Sequence, residues 1–247
     1  MSAIGTIHGI GVGPGAPDLM SVRAARLIES TRHVAYFRKR GREGRARQVI
    51  RDVLRADAIE IPLEYPITTE IPFDDPRYQE ALSNFYEERT ETLRKIARAG
   101  HDIALVCEGD PFFYGSFMHI YERLRGDDIP LSVTPGITGM SGGWTATGLP
   151  ITWGDDVLTV LMGTLPEAEL RERMRGSDAL VVMKIGRNLA KVRRALQTAG
   201  LSERAWFIEH ATTKEERVRA LSELNPDAEA LAPYFSMVVV HGQGRRP

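Results

Sequence analysis

The chain has 247 residues, 43% of them hydrophobic and 26% charged, with a formal net charge of −1. That balance is ordinary for a globular protein and gives no overall pull toward nucleic acid or an anionic membrane surface. One cysteine excludes an internal disulfide and an all-cysteine metal site, and the six histidines have no HxxxH or CxxH spacing that would suggest zinc.

Thr6 to Val12 is apolar and β-branched at several positions and reads as a strand. It runs into a glycine/proline loop, GIGVGPGAPDL, and then a helix beginning near Ser21 with Val22, Ala25, Leu27 and Ile28 expected on one face. No basic segment precedes an apolar stretch at the start, and no apolar run approaches the ~20 residues that span a bilayer, so a soluble cytoplasmic protein is expected. Val34 to Phe37 reads as a strand, Arg47 to Leu54 as a short helix and Ala58 to Pro62 as a strand end, with a proline-punctuated loop from Pro62 to Pro76. Asp75 then caps a long helix with Pro76 in its first turn, and Gly100 stops it. Tyr78, Leu82, Phe85, Arg89, Leu93 and Ile96 recur along that helix at three- and four-residue steps.

Ile103 to Cys107 is a continuous apolar run of the kind buried in a parallel sheet. The loop CEGDPFFYGS, a helix over Ser116 to Arg125, a strand over Leu131 to Thr134 and the loop TPGITGMSGG follow, ending in a small-residue helix to about Thr147. A change of character near Pro150 to Asp155 predicts two domains, 1–152 and 153–247. The second carries strands at Val157 to Met162, Ala179 to Met183, Trp206 to Glu209, Glu216 to Leu221 and Phe235 to Val240. Its helices are expected over Pro166 to Arg175 and after an Asn188 cap, the latter closed by Gly200.

Three glycine/proline loops, each after a strand, are expected to build a cleft at the carboxyl ends of parallel strands. The first also fits a dinucleotide fingerprint, Gly11-x-Gly13-x-x-Ala16, which keeps an NADP-dependent oxidoreductase open as a rival. Against it, Pro14 has no N–H to offer a pyrophosphate, and a cationic stretch stands where an acidic ribose-binding residue belongs. In the second loop, Asp110 reads either as a turn cap or as an anchor for a ligand amino or hydroxyl group. Phe112, Phe113 and Tyr114 read as core or as pocket wall, and Cys107 as a small apolar strand residue. In the third loop, small residues around Pro135 to Ala146 suit close helix packing or a ligand-facing Thr138. The stretch RKRGREGRAR (Arg38 to Arg47) holds six cationic residues and one acid. It reads as a solvated loop, a nucleic-acid contact, or a grip on a small polycarboxylate through planar guanidinium groups. Lys184 and Arg187 form a second cationic pair beside a strand end.

Taken together, the opening GxGPGxxxL, the GDPxxYG loop and the PGIT segment resemble the tetrapyrrole (corrin/porphyrin) methylases, over essentially the whole chain. EGDPFFYGSF, DDVLTVLMGTLP (Asp155 to Pro166) and MKIGRNLAKVRRAL (Met183 to Leu196) look like the group in that family that methylates C20 of precorrin-2 in the cobalamin pathway. The resemblance implies two α/β domains, usually in a homodimer, with S-adenosylmethionine folded into the inter-domain cleft and no metal. It implies cofactor contacts at Pro14, Gly109, Asp110, Phe113, Thr138 and Gly139, with Met183 and Ala211 from the second domain. Glu108, standing where the family often has glycine, is expected to contribute through its backbone. The tetrapyrrole's carboxylates give Arg38, Arg40 and Arg187 a substrate-binding role, and no nucleic-acid or membrane partner is implied. The proton acceptor for the reaction is unknown at this level. A cobalt-bearing acceptor and a non-catalytic tetrapyrrole carrier stay open as alternatives.

Overall fold

A computed structural model describes residues 3–67, 75–225, 232–233 and 235–244. The chain forms two compact units, Met1–Thr138 and Gly139–Pro247. The strands of the first unit are β1 (Ile7–Gly11), β2 (His33–Lys39), β3 (Ile59–Tyr65), β4 (Ile103–Cys107) and β5 (Leu131–Thr134). They lie side by side in the order β3-β2-β4-β1-β5, every pairing parallel. Helices α1 (Val22–Ser30), α2 (Arg45–Val49), α3 (Pro76–Arg98) and α4 (Phe117–Leu124) connect them.

Strand β4 shows why this sheet is covered on both faces. All five of its residues are buried. Ile103, Leu105 and Cys107 pack with Phe85, Leu93, Phe117 and Ile120 of α3 and α4, whereas Ala104 and Val106 pack with Ala24 and Ile28 of α1 and Val49 of α2. Side chains alternate across a strand, so one apolar run supplies two separate cores.

Local signals set the helix ends. The Ser21 hydroxyl accepts the Ala24 amide at 3.1 Å, and the Asp75 carboxylate accepts the Arg77 amide at 2.9 Å ahead of Pro76. The buried stripe of α1 differs from expectation in phase: it is Ala24 and Ile28, an i, i+4 pair, which leaves Val22 in the first turn 64% exposed. In α3 the expected Phe85 and Leu93 are buried and Leu82 and Ile96 pack against the same core, joined by Tyr86, Thr90 and Ala97, with Arg89 beside the stripe. Helix α2 begins at Arg45, earlier than expected, and β3 runs on to Tyr65, through the start of the expected loop. The remainder of that loop, 68–74, lies outside the described residues.

The second unit has β6 (Leu158–Met162), β7 (Ala179–Met183), β8 (Ala205–Glu209), β9 (Arg217–Ala220) and β10 (Ser236–Val240) in the order β6-β7-β10-β8-β9. Among the described residues only β6 and β7 pair in parallel; β10 runs antiparallel to both its neighbours, and β8 to β9. Helices α6 (Glu167–Met174) and α7 (Leu189–Thr198) cover one face around Leu180, Val182, Phe207 and Val238. Helix α7 starts after Asn188 as expected, but without a side-chain cap from it.

Helix α5 (Gly139–Ala146) belongs to this unit, so the observed division falls before it and not near Pro150. Its Met140 and Trp144 join Val181, Ile208 and Val239 on the other face of the second sheet. At Gly143 the helix lies directly against the flexible Met237 side chain of β10. No helix among the described residues is long and apolar enough to cross a membrane.

Candidate functional site

In the first sheet β4, β1 and β5 are immediate neighbours, so the three glycine/proline loops leave the same edge side by side. The Val12 amide donates to the Cys107 carbonyl at 2.9 Å. Gly109 then donates to the Gly13 carbonyl at 2.8 Å, and Gly13 donates back to Gly109 at 3.4 Å, tying the first loop to the second. One glycine from each loop meets at the centre. A Cβ on Gly11 would stand 2.6 Å from both the Gly109 carbonyl oxygen and the Gly136 amide, and one on Gly136 would run into that same carbonyl. Backbone packs on backbone here with no room for a side chain.

Asp110 locks the third loop to the second. Its Oδ1 accepts the Phe112 amide at 2.9 Å and its Oδ2 accepts the Gly136 amide at 3.0 Å. The turn-cap reading of Asp110 therefore holds, and the carboxylate has the added task of holding loop 135–138. Pro14 and Gly109 are buried, Phe113, Thr138 and Gly139 are half-buried, and Phe112, Tyr114 and Ile137 stand 47%, 46% and 43% exposed around them. Large apolar groups left open at a polar loop cluster mark a surface ready for a ligand.

Glu108 leaves the end of β4 on the α2 side of the sheet. Its Oε1 lies 3.7 Å from Arg45 Nε, and its side chain keeps 29% exposure. Burial pushes its pKa up to about 7, against the opposing pull of Arg45. Burial also pushes the Cys107 thiol up, which fits its reading as an inert strand residue.

In the second unit, Met183 ends β7 and Ala211 follows β8; both pack into the apolar cluster that holds Met140, one residue beyond Gly139. The structure thus brings together the expected second-domain positions and the start of α5. Sequence reasoning missed a feature of the backbone. Among the described residues, the non-glycine residues with positive φ are Tyr114 (55°), Lys184 (55°), His210 (49°) and Thr212 (65°). Each adjoins an expected cofactor position: Phe113, Met183, or Ala211 from both sides. Such conformations cost of order 1–3 kcal/mol each and concentrate at functional sites. For Tyr114, Lys184 and Thr212 no residue-type signal announced them; His210 is of a type that adopts this conformation more readily.

Part of the cationic stretch is paired with acids: Arg38, Arg45 and Arg47 each have a carboxylate partner. Arg38 donates from Nε and Nη2 to Glu64 Oε1 at 3.0 and 2.6 Å, its register partner on β3. Arg47 donates to both oxygens of Glu60 at 2.6 and 2.9 Å. Arg40 is exposed, as is Arg187 in a short turn of the second unit. The dinucleotide reading fails on geometry. Both backbone groups of Gly13 are committed to Gly109, and α1 begins only at Val22, after a separate turn over Pro17–Leu19. A dinucleotide loop requires the helix N-terminus directly at the pyrophosphate.

Residues 6–225 match the family model described as Tetrapyrrole (Corrin/Porphyrin) Methylases. A Sinorhizobium protein named precorrin-2 C(20)-methyltransferase is 45% identical across 99% of this chain and 98% of its own length. The cobalt-precorrin-2 C(20)-methyltransferase of Salmonella typhimurium is 30% identical across 97% of each chain. In fold, the chain is similar to uroporphyrin-III C-methyl transferase from Thermus thermophilus, solved in complex with S-adenyl homocysteine. There the TM-score is 0.68 at 22% identity, covering 96% of this chain and 97% of the other.

Two outcomes follow from the loop junction. Gly136→Ala pushes a methyl into the Gly109 carbonyl and is expected to cost about 3 kcal/mol or more, read as a fall in urea midpoint. Asp110→Ala leaves two loop amides without their acceptor and is expected to cost about 1–3 kcal/mol and to weaken S-adenosylmethionine binding at least tenfold by calorimetry. Unchanged cofactor affinity in a folded Asp110→Ala protein would remove the loop clamp from the site.

Proposed function

We infer the activity from one premise: the chain belongs to the tetrapyrrole (corrin/porphyrin) methylases. It is an S-adenosylmethionine-dependent C-methyltransferase that places a methyl group on C20 of precorrin-2. The observation that carries this reading is the similarity to the Sinorhizobium enzyme, at 45% identity over 99% of this chain and 98% of the other. The lower identity to the cobalt-precorrin-2 enzyme favours the metal-free acceptor over the cobalt-bearing one.

The residues present fit a sulfonium donor. The nine proposed cofactor positions are Pro14, Glu108, Gly109, Asp110, Phe113, Thr138, Gly139, Met183 and Ala211. They include two carboxylates and no cationic side chain, so nothing among them repels a positive sulfur. Lys184, next to Met183, has its pKa pulled down by burial. When bound, S-adenosylmethionine supplies an electrophilic methyl group. The protein's own task is orientation. The glycine junction fixes the backbone of three loops, the Asp110 clamp holds loop 135–138, and Phe113 and Met183 supply apolar surface. Alignment of this kind is worth up to ~7–11 kcal/mol of a barrier in favourable cases.

The first unit supplies the substrate trough and part of the cofactor site in this reading, and the second completes the cofactor site. The substrate's carboxylates are met by Arg38, Arg40 and Arg187. Arg38 reaches them by exchanging its bidentate hold on Glu64, whereas Arg40 is exposed and ready. The reading carries with it a homodimer in the cytoplasm, as the family resemblance implies.

Incubation of the pure protein with methyl-labelled S-adenosylmethionine is expected to add one methyl mass to precorrin-2 and far less to its cobalt-bearing counterpart; the reverse preference would overturn the acceptor assignment. Neutralising Arg38 and Arg40 together is expected to raise the KM for the macrocycle at least tenfold while leaving that for S-adenosylmethionine within about threefold. Equal effects on the two would discard this role for the arginines.

A further inference from the structure

Methylation at C20 leaves that carbon with both a methyl group and its original hydrogen, so the reaction needs a proton acceptor that nothing above assigns. We propose that the acceptor is the Glu108 side chain. The proposal rests on the methyltransferase reading and deepens it.

The geometry comes first. Glu108 is the residue directly after β4, at the edge where the three loops meet, and Gly109 behind it is fixed on both sides by Gly13. Even-numbered residues of β4 face α1 and α2, and Glu108 continues that set toward Arg45. Its carboxylate makes no hydrogen bond among the described residues; Arg45 at 3.7 Å is an ion-pair neighbour beyond hydrogen-bond reach. Both oxygens therefore keep lone pairs open to a proton.

The neighbouring groups do not offer this. Asp110 has both oxygens engaged by loop amides. Glu64 is held by two donors of Arg38. The Cys107 thiol stays protonated because burial raises it. Tyr86 stays protonated for the same reason, and with Tyr65 it is hydrogen-bonded to Ser116.

The step balances. The sulfur–methyl bond breaks with its electrons left on sulfur, and a π pair of the macrocycle forms the new bond to C20. The C20–H bond then breaks, its electrons restore the ring's double bond, and the proton passes to Glu108 and on to water. Burial suits the side chain to this exchange near neutrality, since its pKa of about 7 makes it a stronger base than an ordinary carboxylate. Arg45 is the charged group that faces it, and it keeps the anionic form accessible.

The test uses Glu108→Gln, Glu108→Asp and Arg45→Gln in the full chain, assayed with S-adenosylmethionine and precorrin-2 between about pH 5.5 and 9. Glu108→Gln is expected to bind both within about threefold of the parent, yet lose at least ~100-fold in kcat at pH 8, with Glu108→Asp recovering part of it. The parent's kcat is expected to rise through about pH 7 and level off above it, and this limb disappears in Glu108→Gln. Arg45→Gln removes the cation that favours the ionised form, so the limb moves upward by about half a pH unit or more. A Glu108→Gln protein within about threefold of parental kcat at pH 8, a limb that persists in it, or one unmoved by Arg45→Gln overturns the proposal. If the parent methylates neither form of precorrin-2, the substrate reading fails instead, and that result precedes any variant.

Discussion

The candidate site depends on backbone meeting backbone. Gly11, Gly109 and Gly136 come from three strand ends that the order β4-β1-β5 sets side by side, and they approach so closely that a Cβ on Gly11 or Gly136 finds no space. Parallel strands keep their neighbours within one hydrogen-bonded spacing, so loops leaving adjacent strands must share the same few ångströms. Glycine permits that sharing, and the Gly13–Gly109 exchange with the Asp110 clamp converts proximity into a fixed shape. The ligand-facing edge is therefore rigid for reasons internal to the fold. This is what a reaction governed mainly by alignment requires.

Much of this was legible in the chain itself. Continuous apolar runs marked β4 and β7 to the residue, because strands buried on both faces leave no polar alternation to confuse the period. Asp75-Pro76 marked the start of α3 through a cap and a fixed φ. Helix faces were less legible: α1 buries Ala24 and Ile28 and exposes Val22, since the tertiary contact surface selects among stripes that hydrophobicity alone leaves equivalent. The position of α5 was hidden for a related reason. The helix itself was expected from its small residues and is there, but only Met237, almost a hundred residues on, reveals the surface in the second unit that it packs against. The pairing of Arg38 with Glu64 was equally out of reach, because it depends on the β2–β3 register.

The strained positions carry a second layer of meaning. A left-handed threonine at 212 and histidine at 210 bracket Ala211, where glycine would avoid the cost. For a β-branched residue such as Thr212 the surroundings must enforce that conformation. In the second unit the enforcement is visible: the His210 amide donates to the Phe235 carbonyl at 2.9 Å, and the Thr212 amide donates to Glu216 Oε2 at 2.5 Å. These bonds pin both ends of a turn that sets Ala211 in the cluster shared with Met183 and Met140. Strain is thus held where the proposed cofactor positions lie, and the rest of the unit, with its large core around Leu180 and Phe207, supplies the stability that offsets it.

The same logic applies to Glu108, where the cost is electrostatic. Folding raises its pKa from 4.5 to about 7, so the folded state favours the protonated carboxyl. The penalty is absent below about pH 4.5, grows as pH rises, and is complete above about pH 7, where folding must bury an anion that water would solvate better. Allowing for the surface the side chain keeps, that amounts to about 2 kcal/mol, a large share of a domain's margin. Arg45 offsets only part of it, from beyond hydrogen-bond reach. Glycine there would avoid the penalty altogether. A group that lowers stability throughout the neutral range, at the edge where three rigid loops converge, is accounted for by chemistry and not by packing.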